Sequence, residues 1–482
     1  MTKRSILLSD FYEFTMTQAN NNNGMNDKIA VYDLFFRKVP DNGTYAISGG
    51  LEEIINYIKN IEVTEEEIEY LRSLNKFDEK YLDAIRNFKF TGDIYAVPDG
   101  TVVFPNEPLL TVKAKTFEAQ ILETMLLVKY NYGSLITTKA SRIATSAKGR
   151  GVMEFGARRA HEEKAAVIGA KYAVIGGCIA TSNTKTGFEF GTNPSGTMAH
   201  AYVQMFDSEY EAFLNYAKAY PNDCTLLLDT YDTINSGVVN AIKVAKEYLI
   251  PNGYRLKGVR LDSGDLAKLS IDTRNTLDEA GLNDCKIIAS NGLDEYLIQD
   301  LINQGAQIDV FGVGERLITA KSDPVFGCVY KLSEFDGQPK IKLSEQAIKV
   351  TNPGHKKCIR FYDKDTGLAL GDALFLKDDL VPKEEYVLYD ERSTVKRKSI
   401  SNYQIRELQI PIFIDGKLVY EIPSIEETIK YTRGELKTLA DEIKRLVNPE
   451  YYTVSLDEGL YKLKQDTINK EREKIMTFKG VK

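Results

Sequence analysis

The chain has 482 residues, 43% of them hydrophobic and 27% charged, and carries a formal net charge of −7. At ~150 residues per domain this length suggests about three domains, with ample apolar material for their cores. An acidic chain lacks the basic face that general nucleic-acid binding needs, and no apolar run reaches the ~18 residues of a membrane span.

The N-terminal segment MTKRSILLSDFYEF places only Ile6, Leu7 and Leu8 between its basic start and Ser9, too short an apolar stretch for a secretory leader. The five cysteines (Cys178, Cys224, Cys285, Cys328 and Cys358) are odd in number and form no CxxC. That argues against a disulfide framework or a zinc site, and for a reducing, cytoplasmic setting.

Residues 1–128 mix strand and helix signals. Val31–Phe36 is strand-like, whereas Gly49–Ile61 and Glu65–Leu74 have helical spacing. The stretch GDIYAVPDGTVVFPNEPLLTVKA alternates apolar residues among prolines, which predicts a small sheet with turns at Pro98–Gly100 and Pro105–Pro108. Phe117–Tyr130 reads as one long apolar helix. From 129 to 332, strand-like runs alternate with helical stretches such as Glu209–Tyr220, Val238–Leu249 and Asp294–Gln304. Such βα alternation implies parallel strands joined by crossover helices. The region is short for eight units, so an irregular β/α barrel is expected. From 333 to 482 the character changes. Residues 383–403 are polar and charged, ELQIPIFIDGKLVYEI predicts two strands around an Asp415-Gly416 turn, and Ile425–Lys482 reads as helical and charged. This last region is expected to pack partly with the first.

Within the middle region six apolar runs end abruptly in small, polar and charged residues. They are VMEF before GARR, AVIGG before CIATSN, TLLL before DTYDT, GVRL before DSGD, IIA before SNGLDE, and IDVFG before VGER. Buried parallel strands look like this when they deliver reactive groups at their C-terminal ends, the rim where barrel enzymes keep their chemistry.

In GVRLDSGDL, Arg260 can clamp a planar anion, Asp262 and Asp265 can hold Mg²⁺ or sugar hydroxyls, and Ser263 and Gly264 offer N–H groups to a phosphate. The same segment reads equally well as a helix cap at Asp262 or Ser263, with Arg260 in a structural ion pair. Arg158 and Arg159 follow a glycine as an anion clamp, or form a surface pair answering Glu162 and Glu163. His200, one of three histidines, falls in the first turn of a helix that Ser195 or Thr197 can cap. It is placed there to carry a phosphoryl group, or is simply polar surface. Asp229 and Asp232 in DTYDT can bind metal or ribose, or cap the next helix. Gly312 and Gly314 offer a backbone cradle for phosphate, and Ser290 and Asn291 are further phosphate candidates at their own strand end. GTNPSGTM has the outer spacing of a P-loop without its lysine. Arginines, carboxylates and glycines together suit a phosphorylated sugar with a pyrophosphate leaving group. A magnesium-dependent barrel lyase and a non-catalytic phosphate-binding regulator are the readings from other classes.

LLSDFYEFTM, FFRKVP, EFGARRAH, TSN at 181–183, GTMAHAYVQM, LLDTYDT, GVRLDSGDL, FGVG and IPIFIDGKLVYEIPS occur in one order along the chain. In this the sequence resembles the nicotinate phosphoribosyltransferase family over nearly its whole length. The resemblance implies an irregular α/β barrel with an N-terminal sandwich-like domain and a small C-terminal domain. It implies transfer of phosphoribose from phosphoribosyl pyrophosphate to nicotinate, with Mg²⁺ and with ATP hydrolysis coupled through a phosphohistidine at His200. It assigns nicotinate contacts to Tyr12, Phe155, Arg158, Thr197 and Arg260, a ribose-side catalytic carboxylate to Asp262, and the phosphate loop to Gly312, Gly314 and Glu315. Asp229 and Asp262 are the expected Mg²⁺ ligands. A homodimer with shared sites is implied, Tyr12 reaching into the neighbour. A carboxylate repels phosphate, so Glu315 is expected to offer only its N–H or to turn its side chain away. The neutral Thr181-Ser182-Asn183 segment speaks for the acid, where the nicotinamide enzyme carries a carboxylate. Nicotinamide and quinolinate are the alternative substrates on the same fold.

Overall fold

The computed structural model describes residues 4–346, 349–389 and 397–479. Residues 390–396 of the polar stretch and 480–482 of the tail lie outside the described residues. The chain forms two units, one of residues 1–135 with 325–482 and one of residues 136–324.

In the first unit, strands from both ends of the chain interleave in a seven-stranded antiparallel sheet. Ile29–Phe35 pairs with Leu110–Lys115 on one side and with Val329–Phe335 on the other. Asp93–Ala96 lies between Leu110–Lys115 and Ile410–Ile414. The Ile410–Ile414 strand turns back into Lys417–Leu418 through Asp415 and Gly416, at φ 49° and 71°, the left-handed pair that a two-residue hairpin requires. A four-stranded sheet runs Tyr403–Glu407, Lys356–Asp363, Ala369–Leu376 and Val454–Leu456. The helix expected at Phe117–Tyr130 is two, Thr116–Ile121 and Glu123–Ser146, broken at Leu122. The tail is not uniformly helical, since a strand, Val454–Leu456, separates Ile425–Lys437 from Glu458–Lys479. No described helix is long and apolar enough to cross a membrane.

The second unit carries six parallel strands: β1 (Gly151–Glu154), β2 (Ala180–Thr181), β3 (Thr225–Leu227), β4 (Gly258–Leu261), β5 (Lys286–Ser290) and β6 (Val310–Val313). Their spatial order is β2-β1-β6-β5-β4-β3, an open, curled half-barrel. Five of the six apolar runs are these strands. The exception is Ala173–Gly177, which ends the helix Glu163–Ile175; β2 lies three residues beyond it, inside the polar cluster. A helix buried on all sides is apolar all round, and over five residues it cannot be told from a buried strand.

Candidate active site

The C-terminal ends of β1, β2, β4, β5 and β6, with the loop Gly196–His200, enclose a cavity of ≈570 Å³. Arg158, Arg159, Arg260, Arg316 and Lys321 face it, against the carboxylates of Asp262 and Glu315. In a chain of net charge −7 this is a local excess of cations, suited to a polyanion.

Phe155 follows β1 and is registered by its N–H donating to the Val313 carbonyl of β6 at 2.8 Å. A Cβ on Gly312 would lie 2.5 Å from both Cδ2 and Cε2 of the Phe155 ring. Only glycine at 312 therefore lets the ring lie there, against the floor of the cavity. Behind the ring, the buried Glu154 carboxylate accepts the Gly156 N–H and, at 2.6 Å, the Thr181 hydroxyl. Its main-chain oxygen accepts the Ser182 N–H at 2.8 Å. One side chain thus ties the arginine-bearing loop after β1 to the neutral segment after β2. Burial pushes this carboxyl up from the ordinary glutamate range.

Arg260 donates from Nη2 to the Met198 carbonyl at 2.9 Å, which anchors the loop Gly196–His200 to β4. Its Nε is buried without a partner. Burial pushes the guanidinium down from its ordinary value, opposed by Asp262 and Asp229. Asp262 accepts the Ser290 hydroxyl and is held from behind, its own N–H donating to Asp229 Oδ2 at 2.9 Å. Ser263 donates its hydroxyl to the same Asp229 oxygen, while Asp229 Oδ1 is buried with no partner. The cap of helix Leu266–Glu279 is Asp265, which accepts the Lys268 N–H at 3.0 Å. Asp262 and Ser263 are thereby free of the capping role.

His200 opens the short helix His200–Gln204; the N-cap is Ala199, with no side-chain bond. Neither Ser195 nor Thr197 caps it, because both precede the N-cap in the loop. Nδ1 of His200 lies 3.2 Å from the Thr230 hydroxyl, and Nε2 lies 3.8 Å from Asp262 Oδ2.

At the other end of the cavity, Ser290 and Gly312 are register partners on β5 and β6. Asn291 and Gly292 follow at φ 89° and 63°. Glu315 turns its carboxylate to Lys321, Nζ to Oε1 2.6 Å. Arg316 pairs with Asp294, which also caps helix Glu295–Asn303.

The cavity brings together Phe155, Arg158, Thr197, His200, Arg260, Asp262, Ser290, Asn291, Gly312, Gly314 and Glu315. Asp229 stands behind Asp262, and Ser263 and Gly264 do not line the cavity. Asp232 caps the turn Thr233–Gly237. Tyr12 is in the first unit, on helix Phe11–Asn22, with its side chain half exposed. Lys321, Arg316 and Thr230 were not singled out from the sequence. Arg316 and Thr230 stand inside the quoted clusters VGER and DTYDT, whereas nothing in TAKSDP marks Lys321.

Three family models match: the nicotinate phosphoribosyltransferase N-terminal domain at residues 7–131, the family model at 151–375 and the C-terminal domain at 355–464. A nicotinate phosphoribosyltransferase of Bacillus subtilis is 41% identical, over 97% of this chain and 96% of its own. The chain belongs to the nicotinate phosphoribosyltransferase family. A relative of that name from Caenorhabditis elegans is 33% identical over 94% of this chain and 92% of its own. Among solved structures, human nicotinic acid phosphoribosyltransferase superposes with a TM-score of 0.84 at 28% identity, covering 95% of this chain and 99% of that one. The Pyrococcus furiosus nicotinate-nucleotide pyrophosphorylase has the same fold, with a TM-score of 0.69 at 24% identity over 90% of this chain and 95% of that one. The family's motifs therefore fall on strand ends that converge: EFGARRAH on the end of β1, GVRLDSGDL on β4 and FGVG on β6.

Proposed function

We propose that this protein joins nicotinate to the phosphoribosyl group of phosphoribosyl pyrophosphate, and couples the transfer to ATP hydrolysis through His200. The observation that carries the reading is Arg260. Its guanidinium shares one cavity with an aromatic face, Phe155, and with glycine and serine donors on β5 and β6. A pyridine carboxylate needs a guanidinium and a ring to stack on, and a phosphoribosyl phosphate needs N–H and hydroxyl donors. The neutral Ser182 in the lining favours the acid over the amide.

In this reading Arg260 and Thr197 orient the carboxylate, and Phe155 fixes the plane of the ring. The pyridine nitrogen forms the new bond to C1 of the ribose. The C1–O bond breaks, and its electron pair leaves with pyrophosphate. Asp262, facing the cavity, stabilises the positive charge that develops on the sugar. The Asp262 carboxylate suits Mg²⁺, which binds through one or two carboxylates plus substrate oxygens. Asp262, with Asp229 behind it, would hold that ion, which supplies neutralisation of the pyrophosphate charge. Arg158 and Arg159 add fixed positive charge at the cavity wall.

An imidazole nitrogen of His200 takes the γ-phosphoryl group of ATP as the bond to the bridging oxygen breaks and ADP leaves, and water later cleaves the P–N bond to release inorganic phosphate. Incubation with γ-labelled ATP tests this: acid-labile, base-stable label on the wild type and none on His200→Ala is the expected result. Label retained on the variant would remove His200 from the role. The enzyme is further read as a cytoplasmic homodimer in which Tyr12 serves a second copy's site. Mixed Tyr12→Ala and Arg260→Ala proteins should then regain activity that neither has alone.

A further inference from the structure

We propose that Glu315 is a built-in competitor for the anionic substrate: its carboxylate contends with the phosphate of the phosphoribosyl group for the Lys321 ammonium. The inference rests on the phosphoribosyl-transfer reading above for the identity of the anion, and on the geometry for the rest.

Both side chains line the cavity, and Oε1 of Glu315 sits 2.6 Å from Nζ of Lys321. The remaining cations of this end are Arg159 and Arg316, both within electrostatic reach of the same carboxylate. Arg316 is already engaged with Asp294. Glu315 is therefore the anion that this cluster of cations holds. Lys321, then Arg159 and Arg316, hold its carboxyl below the usual glutamate range, so it is charged at neutral pH.

The pair is exposed enough to exchange, the side chains being 42% and 60% accessible. An exposed pair of this kind is weak, so an incoming polyanion can break it, but the displaced carboxylate stays nearby and repels the ligand. The consequence is a site of moderated affinity. Lys321 is pre-oriented by Glu315, and the sugar phosphate is bound less tightly than the cation count alone would give. Glu315 acts through Lys321 as a positioning residue.

The test is direct binding of ribose 5-phosphate, by calorimetry, to the full-length wild type, Glu315→Gln, Lys321→Ala and the double variant. Glu315→Gln should bind roughly two- to fivefold more tightly than the wild type, with a steeper loss of affinity as salt rises. In the Lys321→Ala background the same change should have a clearly smaller effect. Unchanged or weaker binding by Glu315→Gln, or an equal gain with and without Lys321, would overturn the proposal. This readout does not depend on turnover. If Glu315→Gln binds ribose 5-phosphate more tightly while the wild type makes no nicotinate mononucleotide, the functional reading fails and this inference stands.

Discussion

Nε2 of His200 lies 3.8 Å from Oδ2 of Asp262, and the other ring nitrogen is 3.2 Å from the Thr230 hydroxyl. The imidazole is thus held between β3 and β4, its ring oriented by one partner and the other nitrogen turned towards the cavity carboxylate. Asp262 in turn is fixed by Asp229 and Ser290. The histidine proposed to carry phosphate thus stands 3.8 Å from the carboxylate proposed to face the ribose.

His200→Ala should abolish nicotinate-stimulated ATP hydrolysis and leave a slow, ATP-independent transfer. Thr230→Val should lower ATP turnover while leaving the nicotinate KM near its original value, because it disturbs only the orientation of the ring. Coupled phosphate release and mononucleotide formation, measured side by side, check both. Stimulated ATP hydrolysis in His200→Ala would contradict the assignment.

Arg260→Lys should raise the nicotinate KM by roughly ten- to a hundredfold, since a lysine cannot reproduce the planar fork that a carboxylate receives. Lysine is preferred to alanine here because Arg260 also anchors the loop at Met198. Steady-state kinetics with nicotinate varied would show it, and an unchanged KM removes Arg260 from the carboxylate site.

Gly312→Ala places a methyl group 2.5 Å from the Phe155 ring, so the ring must shift. We expect kcat/KM for nicotinate to drop by roughly ten- to a hundredfold through misplacement of the stacked ring. The fold should survive, with a stability loss of about 1–3 kcal/mol for overpacking. Urea unfolding and kinetics on the same preparation separate the two effects.

Glu13 is buried in the first unit, where it accepts the Thr124 hydroxyl at 2.7 Å with Glu123 and Asp10 as charged neighbours. Burial pushes its carboxyl from 4.5 up to about 8. Between these values the folded protein keeps a proton that the unfolded chain releases, so stability falls as pH rises through that window and levels above it. Glu13→Gln carries no such proton. Its urea midpoint should decline less than the wild type's between pH 5 and pH 8, and equal declines would refute the assignment.

The half-barrel was legible in the sequence because a short apolar run followed by polar residues is a local signature, and five of the six strands carry it. β2 was not, because the buried end of helix Glu163–Ile175 imitates a strand. Two central strands of the C-terminal region stayed hidden for a different reason, although the hairpin at Asp415-Gly416 was legible. Lys356–Asp363 and Ala369–Leu376 carry Arg360 and Asp372, which look like surface charges until they pair at 2.7 Å within the interior. The interleaved sheet of the first unit joins residues some three hundred positions apart, as at Val31 and Glu334, and no local pattern encodes such a partner. In the site, the motif residues could be placed from their strand ends. The Thr230 contact and the Glu315–Lys321 pair could not, because each depends on how a loop closes.

The central claim is that this cavity makes nicotinate mononucleotide. The most direct measurement gives the purified protein phosphoribosyl pyrophosphate and Mg²⁺ with nicotinate or nicotinamide, each with and without ATP, and quantifies the mononucleotides formed. The account predicts nicotinate mononucleotide in both nicotinate arms, faster with ATP and with stoichiometric ATP consumption, and little product from nicotinamide. Equal or greater product from nicotinamide, or no mononucleotide from nicotinate under any condition, would contradict it.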